Sequence, residues 1–206
     1  MAKRSGTKAP PEGPVAEMKI SDLETIRVMS DPLRLRIVQA MSTDIEQPWT
    51  VKRLARTLSL PPTKLYYHVN LLEEHGLIKV IGTGIVSGIV ESRYAIAARR
   101  FEVDRAVFAP AGAERTEVMG GLVTTIFDTT RDEVLDGVRA GRITTGDTDR
   151  DPQRRLTISK NGVRLNPVRA AELRERIEAV IAAFDSDNDP DGINIAALVA
   201  IYPIEA

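Results

Sequence analysis

The chain has 206 residues, 43% apolar and 28% charged, enough for two small domains and typical of soluble globular proteins. It has no cysteine, which excludes disulfides, thiolate metal sites and cysteine nucleophiles together. The net charge of −1 is spread unevenly: residues 1–98 hold 13 Lys+Arg against 10 Asp+Glu (+3), and residues 99–206 hold 15 against 19 (−4). This polarity is small, and it fits a nucleic-acid partner for the first half only. No apolar stretch approaches the roughly 18 residues of a membrane span. The basic start has no apolar run behind it, so no secretory signal is expected and the cytoplasm is the default location.

Residues 1–19 carry Pro10, Pro11 and Pro14 and little to bury, and are expected to form a flexible tail. Order is expected from about Ser21. Leu23, Ile26 and Met29 recur at helical spacing over 22–30. Asp31-Pro32 then restarts a helix, with Asp31 as N-cap and Pro32 at the first helical position; Leu33, Leu35, Ile37, Val38 and Met41 form its apolar set. Thr50 caps a third helix containing Val51, Leu54, Ala55 and Leu58. A tight turn follows at Ser59-Leu60-Pro61-Pro62, then a fourth helix over 62–75, stopped by Gly76 at C′. Leu77–Ile81 and Ile89–Ile96 are strand-like runs joined by a glycine-rich link, a hairpin over 77–97. Helix, turn, helix and hairpin in this order make a winged helix-turn-helix.

The second half differs. Residues 112–140 read as a helix with Val118, Leu122, Ile126 and Thr129 on one face, closed by Gly141. Residues 142–148 and 154–165 read as strands, the second turning at Asn161-Gly162. Asn166-Pro167 opens an amphipathic helix with the stripe Leu173, Ile177, Val180, Ile181 and Phe184, and 193–204 ends the chain as an apolar strand. The stripe and the last strand are expected to be satisfied by the domain's own core. The reading is therefore an α+β protein: tail 1–19, winged helix-turn-helix domain 20–100, and an α+β dimerisation or effector domain 101–206.

On the fourth helix, Leu65, Val69 and Leu72 share an inward face, which turns Thr63, Lys64, Tyr67 and Asn70 outward, with Tyr66 beside them. Short polar groups, a cation and phenol hydroxyls suit a major groove, where base edges offer donors and acceptors between flanking phosphates. Lys52 and Arg53 on the third helix, and Lys79 and Arg93 in the hairpin, are further candidates for backbone contacts. Asp31-Pro32-Leu33-Arg34-Leu35-Arg36-Ile37, together with the run from Tyr67-His68-Val69-Asn70 to Gly76-Leu77-Ile78 and the wing exit around Ser92-Arg93-Tyr94, resembles the ArsR-type winged-helix regulators over about residues 21–100. That resemblance implies a homodimeric transcriptional regulator, a repressor, that places two recognition helices in successive major grooves of double-stranded DNA.

Metal sensing is not expected. His68 and His75 lie seven residues apart, too far along a helix to chelate one ion as an i, i+4 pair does. Gly82, Gly84 and Gly88 lack the strand-to-helix setting of a phosphate loop and read as hairpin glycines. Asp187–Gly192 opens like a calcium loop, but its twelfth position is Leu198, so it reads as a polar loop. No nucleophile–base–acid set is present and no Gly-x-Ser-x-Gly elbow occurs, so neither an enzyme nor a cofactor is expected. The remaining alternatives are a winged helix used for protein–protein contact and a small-molecule effector held by the second domain.

Overall fold

The computed structural model describes residues 13–86, 88–108, 112–145, 152–186 and 192–204. The chain divides into two units, Met1–Leu122 and Val123–Ala206. It is an α+β protein with a helix-turn-helix domain in its N-terminal half.

In the first unit the helix starts are set by side-chain caps. Helix α1 (Leu23–Met29) is capped by Asp22, whose Oδ1 accepts the Thr25 N–H at 2.7 Å. Asp31 caps α2 (Pro32–Ser42) by accepting from Leu33 N and Arg34 N, both at 2.9 Å. Thr50 caps α3 (Val51–Thr57) by accepting from Arg53 N at 3.2 Å. Each such bond satisfies a helix-end N–H that would otherwise have no partner. A single 3-10 turn (Pro62–Lys64) leads into α4 (Tyr66–Glu74), which has no side-chain cap.

Two helix ends share one geometry. After α4, the Gly76 N–H donates to the Glu73 carbonyl and the Leu77 N–H to the Leu72 carbonyl, with Gly76 at φ 68°. After α3, Ser59 N–H donates to Arg56 O and Leu60 N–H to Ala55 O, with Ser59 at φ 54°. Both are Schellman endings, which need a left-handed residue at C′. At α4 glycine fills that position without strain; at α3, inside the turn of the motif, a serine does so at a steric cost.

Helix α2 lies at the centre, against α1, α3, α4 and the wing. The fully buried side chains are Ile26, Ile37, Met41, Leu54, Leu65, Val69, Leu72, Leu77, Ile78 and Ile96, drawn from every helix of the motif and the base of the wing. The wing is the antiparallel pair β2 (Ile78–Val86) and β3 (Ile89–Ile96), with a register shift between Val80 and Gly82 and Gly88 at φ 80° near its tip.

The tail expected over 1–19 is corrected from Val15 onward; residues 1–12 lie outside the described residues. Strand β1 (Val15–Ile20) pairs in parallel with β4 (Ala98–Val103), in a register running from Val15 opposite Ala98 to Ile20 opposite Val103. Arg100 donates to the Glu17 carboxylate across this pair, and that contact holds Glu17 below the ordinary carboxylate range. Ordered structure thus starts before Ser21, and β4 runs across position 100.

Helix α5 (Ala113–Arg139) begins in the first unit, where Val118 and Leu122 are buried and Arg27 pairs with Glu114. It ends at Gly141, at φ 66°.

In the second unit, α6 (Pro167–Ser186) starts as expected, with Asn166 Oδ1 accepting from Arg169 N at 2.9 Å. The strands expected over 142–148 and 154–165 are not formed in the described residues. A single parallel bridge joins Thr144 to Arg155, and 146–148 lie outside what is described. The strand expected over 193–204 is likewise not formed: the segment has no regular structure and pairs with nothing described. The expected burial of the α6 stripe is also overturned: Val180 is 69% exposed and Phe184 45%. The helical period is the one expected, but within the second unit no described element buries that face. The calcium-like segment falls on 187–191, outside the described residues.

Candidate nucleic-acid interface

Helix α4 is fixed from beneath. Leu65, Val69 and Leu72 are 0% exposed, and each large side chain of this kind removed from water contributes about 1.5–3 kcal/mol. With those three turned inward, Thr63, Lys64, Tyr66, Tyr67 and Asn70 lie together on the solvent side, the two tyrosines 50% and 67% exposed. All five outward residues expected from the sequence are therefore on one accessible surface. No carboxylate lies in the first turn of α4; Glu73 and Glu74 are at its far end. The outward residues of its N-terminal half thus carry one cation and no carboxylate of their own.

Lys64 has no ion-pair partner among the described residues, and neither does Arg56, which the sequence reading passed over. Arg56 lies beside a shallow depression lined by Lys52, Ala55, Ser59, Leu60 and Pro62, next to the turn that delivers α4. It could have been noticed in the sequence by its helical phase: four residues after Lys52, it shares that residue's outer face.

The two candidates on α3 differ. Lys52 Nζ lies 3.4 Å from Glu91 Oε1 on β3, so it links α3 to the wing while remaining more than half exposed. Arg53 is engaged within the fold. Its guanidinium sits 3.8 Å above the Trp49 ring, donates to the Asp44 carboxylate, and reaches the carbonyls of Gln47 and Pro48 at 3.3 and 3.2 Å.

Trp49, the only tryptophan, was missed as a structural residue. It is buried, its indole N–H donates to Asp44 O at 2.9 Å, and its backbone exchanges two hydrogen bonds with Tyr94 at 2.8 and 2.7 Å. That bridge adds a third, one-residue strand to the wing and locks it against the start of α3. Burial pushes the Tyr94 phenol above its ordinary range.

In the wing, Arg93 is exposed and lies across Gly84, whose absent side chain leaves room for the guanidinium; a Cβ there would meet Arg93 Nη2 at 3.3 Å. Lys79 Nζ donates to Gly13 O at 3.1 Å. Toward the tip, Ile85 and Val90 face solvent at 78% and 67% exposure and stand opposite one another in the register. The cations therefore lie near the base of the wing and the apolar side chains near its end.

Both histidines make contacts within the fold. His68 Nδ1 is 3.5 Å from Asp31 Oδ1 and its ring meets Tyr67 edge-on, placing it between α4 and the cap of α2. His75 Nδ1 is 3.0 Å from Thr25 Oγ1, tying the end of α4 to α1. They occupy separate places, and the described residues hold no cluster of three or more His, Asp or Glu that could bind a metal. Among the described residues no helix is long and apolar enough to cross a membrane.

A family model described as a helix-turn-helix domain matches residues 29–81, from the end of α1 into β2. No curated protein matches the chain. The match covers the α2, α3 and α4 arrangement and points to a DNA-binding regulator.

Proposed function

We propose that the protein is a sequence-specific transcriptional regulator of the ArsR type, acting as a homodimeric repressor on double-stranded DNA. The helix-turn-helix match supports DNA binding. The observation that carries the finer reading is the outer face of α4, where Thr63, Lys64, Tyr66, Tyr67 and Asn70 are exposed above three completely buried side chains. A rigid helix with hydrogen-bonding groups and no acid in its first turn is suited to a major groove, with residues near its N-terminus nearest the bases. Thr63, Tyr67 and Asn70 read base edges; Lys64, Lys52 and Arg56 take phosphates. The wing over 77–97 lies on the adjacent backbone through Arg93 and presents Ile85 and Val90 to a minor groove, where apolar side chains pack against the sugar walls. Residues 20–100 then form the DNA-binding part, braced by β1 and β4, and the chain from 101 serves dimerisation or an effector.

Fluorescence anisotropy with DNA from upstream of the protein's own gene tests this. Tight binding that resists scrambled competitor and falls steeply with salt is expected, because neutralised phosphates release counterions. Lys64→Ala with Tyr67→Ala should weaken specific binding by about 100-fold or more, since each lost base or phosphate contact costs on the order of 1–3 kcal/mol, and should leave the fold unchanged. Weak, salt-independent association would favour a winged helix that docks protein instead.

A further inference from the structure

The second unit has almost no core of its own. Beyond Leu122 the described residues include no buried large apolar side chain, and eighteen such side chains between Val123 and Ile204 are at least 36% exposed. They include Phe127 on α5, Val180 and Phe184 on α6, and Ile195, Val199 and Tyr202 in the terminal segment. With about half of each side chain exposed, the eighteen hold roughly 1,500 Å² of open apolar surface per chain, spread over several faces; covering about half of it on each of two chains would bury about 1,500 Å², the size of a stable protein interface.

The backbone points the same way. Residues 157–165 and 193–204 belong to no helix or strand, and no backbone hydrogen bond is made by either among the described residues. The terminal segment is apolar on both alternating sets, Ile193, Ile195, Val199 and Ile201 on one and Leu198, Tyr202 and Ile204 on the other, the pattern of a strand covered on both faces. The two segments approach each other at one point, where a Cβ on Gly162 would lie 3.2 Å from Ile204 Cδ1. Apolar chain whose backbone N–H and C=O groups lack partners is a template for strand pairing. A small molecule is too small to cover two helices and two such segments together. An identical chain brings the same uncovered helix faces and the same open strand edges, which is what a self-complementary twofold interface requires.

We propose that the unit Val123–Ala206 acquires its core from a second copy of this chain, with the α6 stripe packed across the dyad and the segments 157–165 and 193–204 paired into a shared sheet. The proposal rests on the dimeric reading above and locates the dimer. It makes the second unit an obligate partner-built fold, while the helix-turn-helix unit keeps its own core.

The test is sedimentation equilibrium of the full chain from about 1 to 100 µM, combined with amide hydrogen exchange. The expected result is a dimer mass with slow exchange in 157–165 and 193–204. Val180→Asp with Ile195→Asp should give a monomer in which those amides exchange at least about 100-fold faster, while protection of α2 and α4 is retained. A wild-type monomer throughout this range would overturn the proposal, as would a dimer whose 157–165 and 193–204 amides exchange like unfolded chain, or a double variant that stays dimeric. The wild-type measurements stand even if the variant aggregates. A protected dimer that fails to bind DNA would support this proposal and count against the DNA reading alone.

Discussion

The two units carry apolar residues in similar proportion and treat them in opposite ways. In the first, every helix of the motif and the base of the wing contribute to one interior, and ten large side chains are completely buried. In the second, among the described residues, α6 leaves its apolar stripe largely in solvent and the two strand-like segments approach each other only at Gly162 and Ile204. Local pattern alone does not make a core; a core needs a second surface to close against. In the helix-turn-helix unit the tight turn at Ser59–Pro62 and the hairpin bring that surface from nearby in sequence.

The sharpest way to break this comparison is a pair of core truncations. Leu72→Ala, at a completely buried site, should destabilise the first unit by about 2–5 kcal/mol, with a urea midpoint that does not move with protein concentration. Phe184→Ala in the second unit should instead lower a midpoint that already falls on dilution, because its partner surface is intermolecular. Equal, concentration-independent losses would erase the distinction.

A smaller effect is expected at the cap that starts α2. Asp31→Ala removes the acceptor of two backbone N–H groups and should cost the first unit about 1–2 kcal/mol, read from its urea midpoint.

Acid should also act on the first unit. The Thr25 N–H and, to a lesser extent, nearby His75 hold the Asp22 carboxyl below its ordinary value, and Arg100 does the same for Glu17. A lowered folded-state pKa contributes stability that is complete above the unfolded value, near about 4, and is lost as pH falls through the folded value. The midpoint should therefore drop below about pH 4, and Asp22→Asn should flatten part of that decline.

The smallest change is a gain. Ser59 holds a left-handed conformation, so Ser59→Gly should stabilise the first unit by up to about 1 kcal/mol by relieving it, whereas Gly76→Ala at the matching end of α4 should cost about as much. Differential scanning calorimetry resolves both. If the serine variant is unchanged or weaker, the turn of the motif stores no strain.

Much of the candidate site was legible in the sequence. The 3.6-residue period placed Leu65, Val69 and Leu72 inward and so placed Thr63, Lys64, Tyr66, Tyr67 and Asn70 outward, which local geometry enforces wherever α4 packs. Asp31, Thr50, Asn166, Gly76 and Gly141 marked helix ends because capping is chemistry among near neighbours. Arg53 was different. Its helical phase suggested a solvent-facing cation, but Trp49 and Asp44 take up its guanidinium, and an apolar ring with a carboxylate beside it outcompetes water there.

What the sequence determined by itself was the set of helices, their caps, the turn and the hairpin, since each depends on residues within a few positions of one another. Tertiary structure alone decided the rest. The pairing of Val15–Ile20 with Ala98–Val103 joins segments about eighty residues apart, and the short, mixed pattern of β1 carried no signal strong enough to predict it. Trp49 locks the wing through backbone bonds that no residue preference encodes. For α6 and the terminal segment, periodicity showed which face is apolar. It could not show what covers that face, because hydrophobic burial is non-directional and any complementary surface, in this chain or another copy, satisfies it equally.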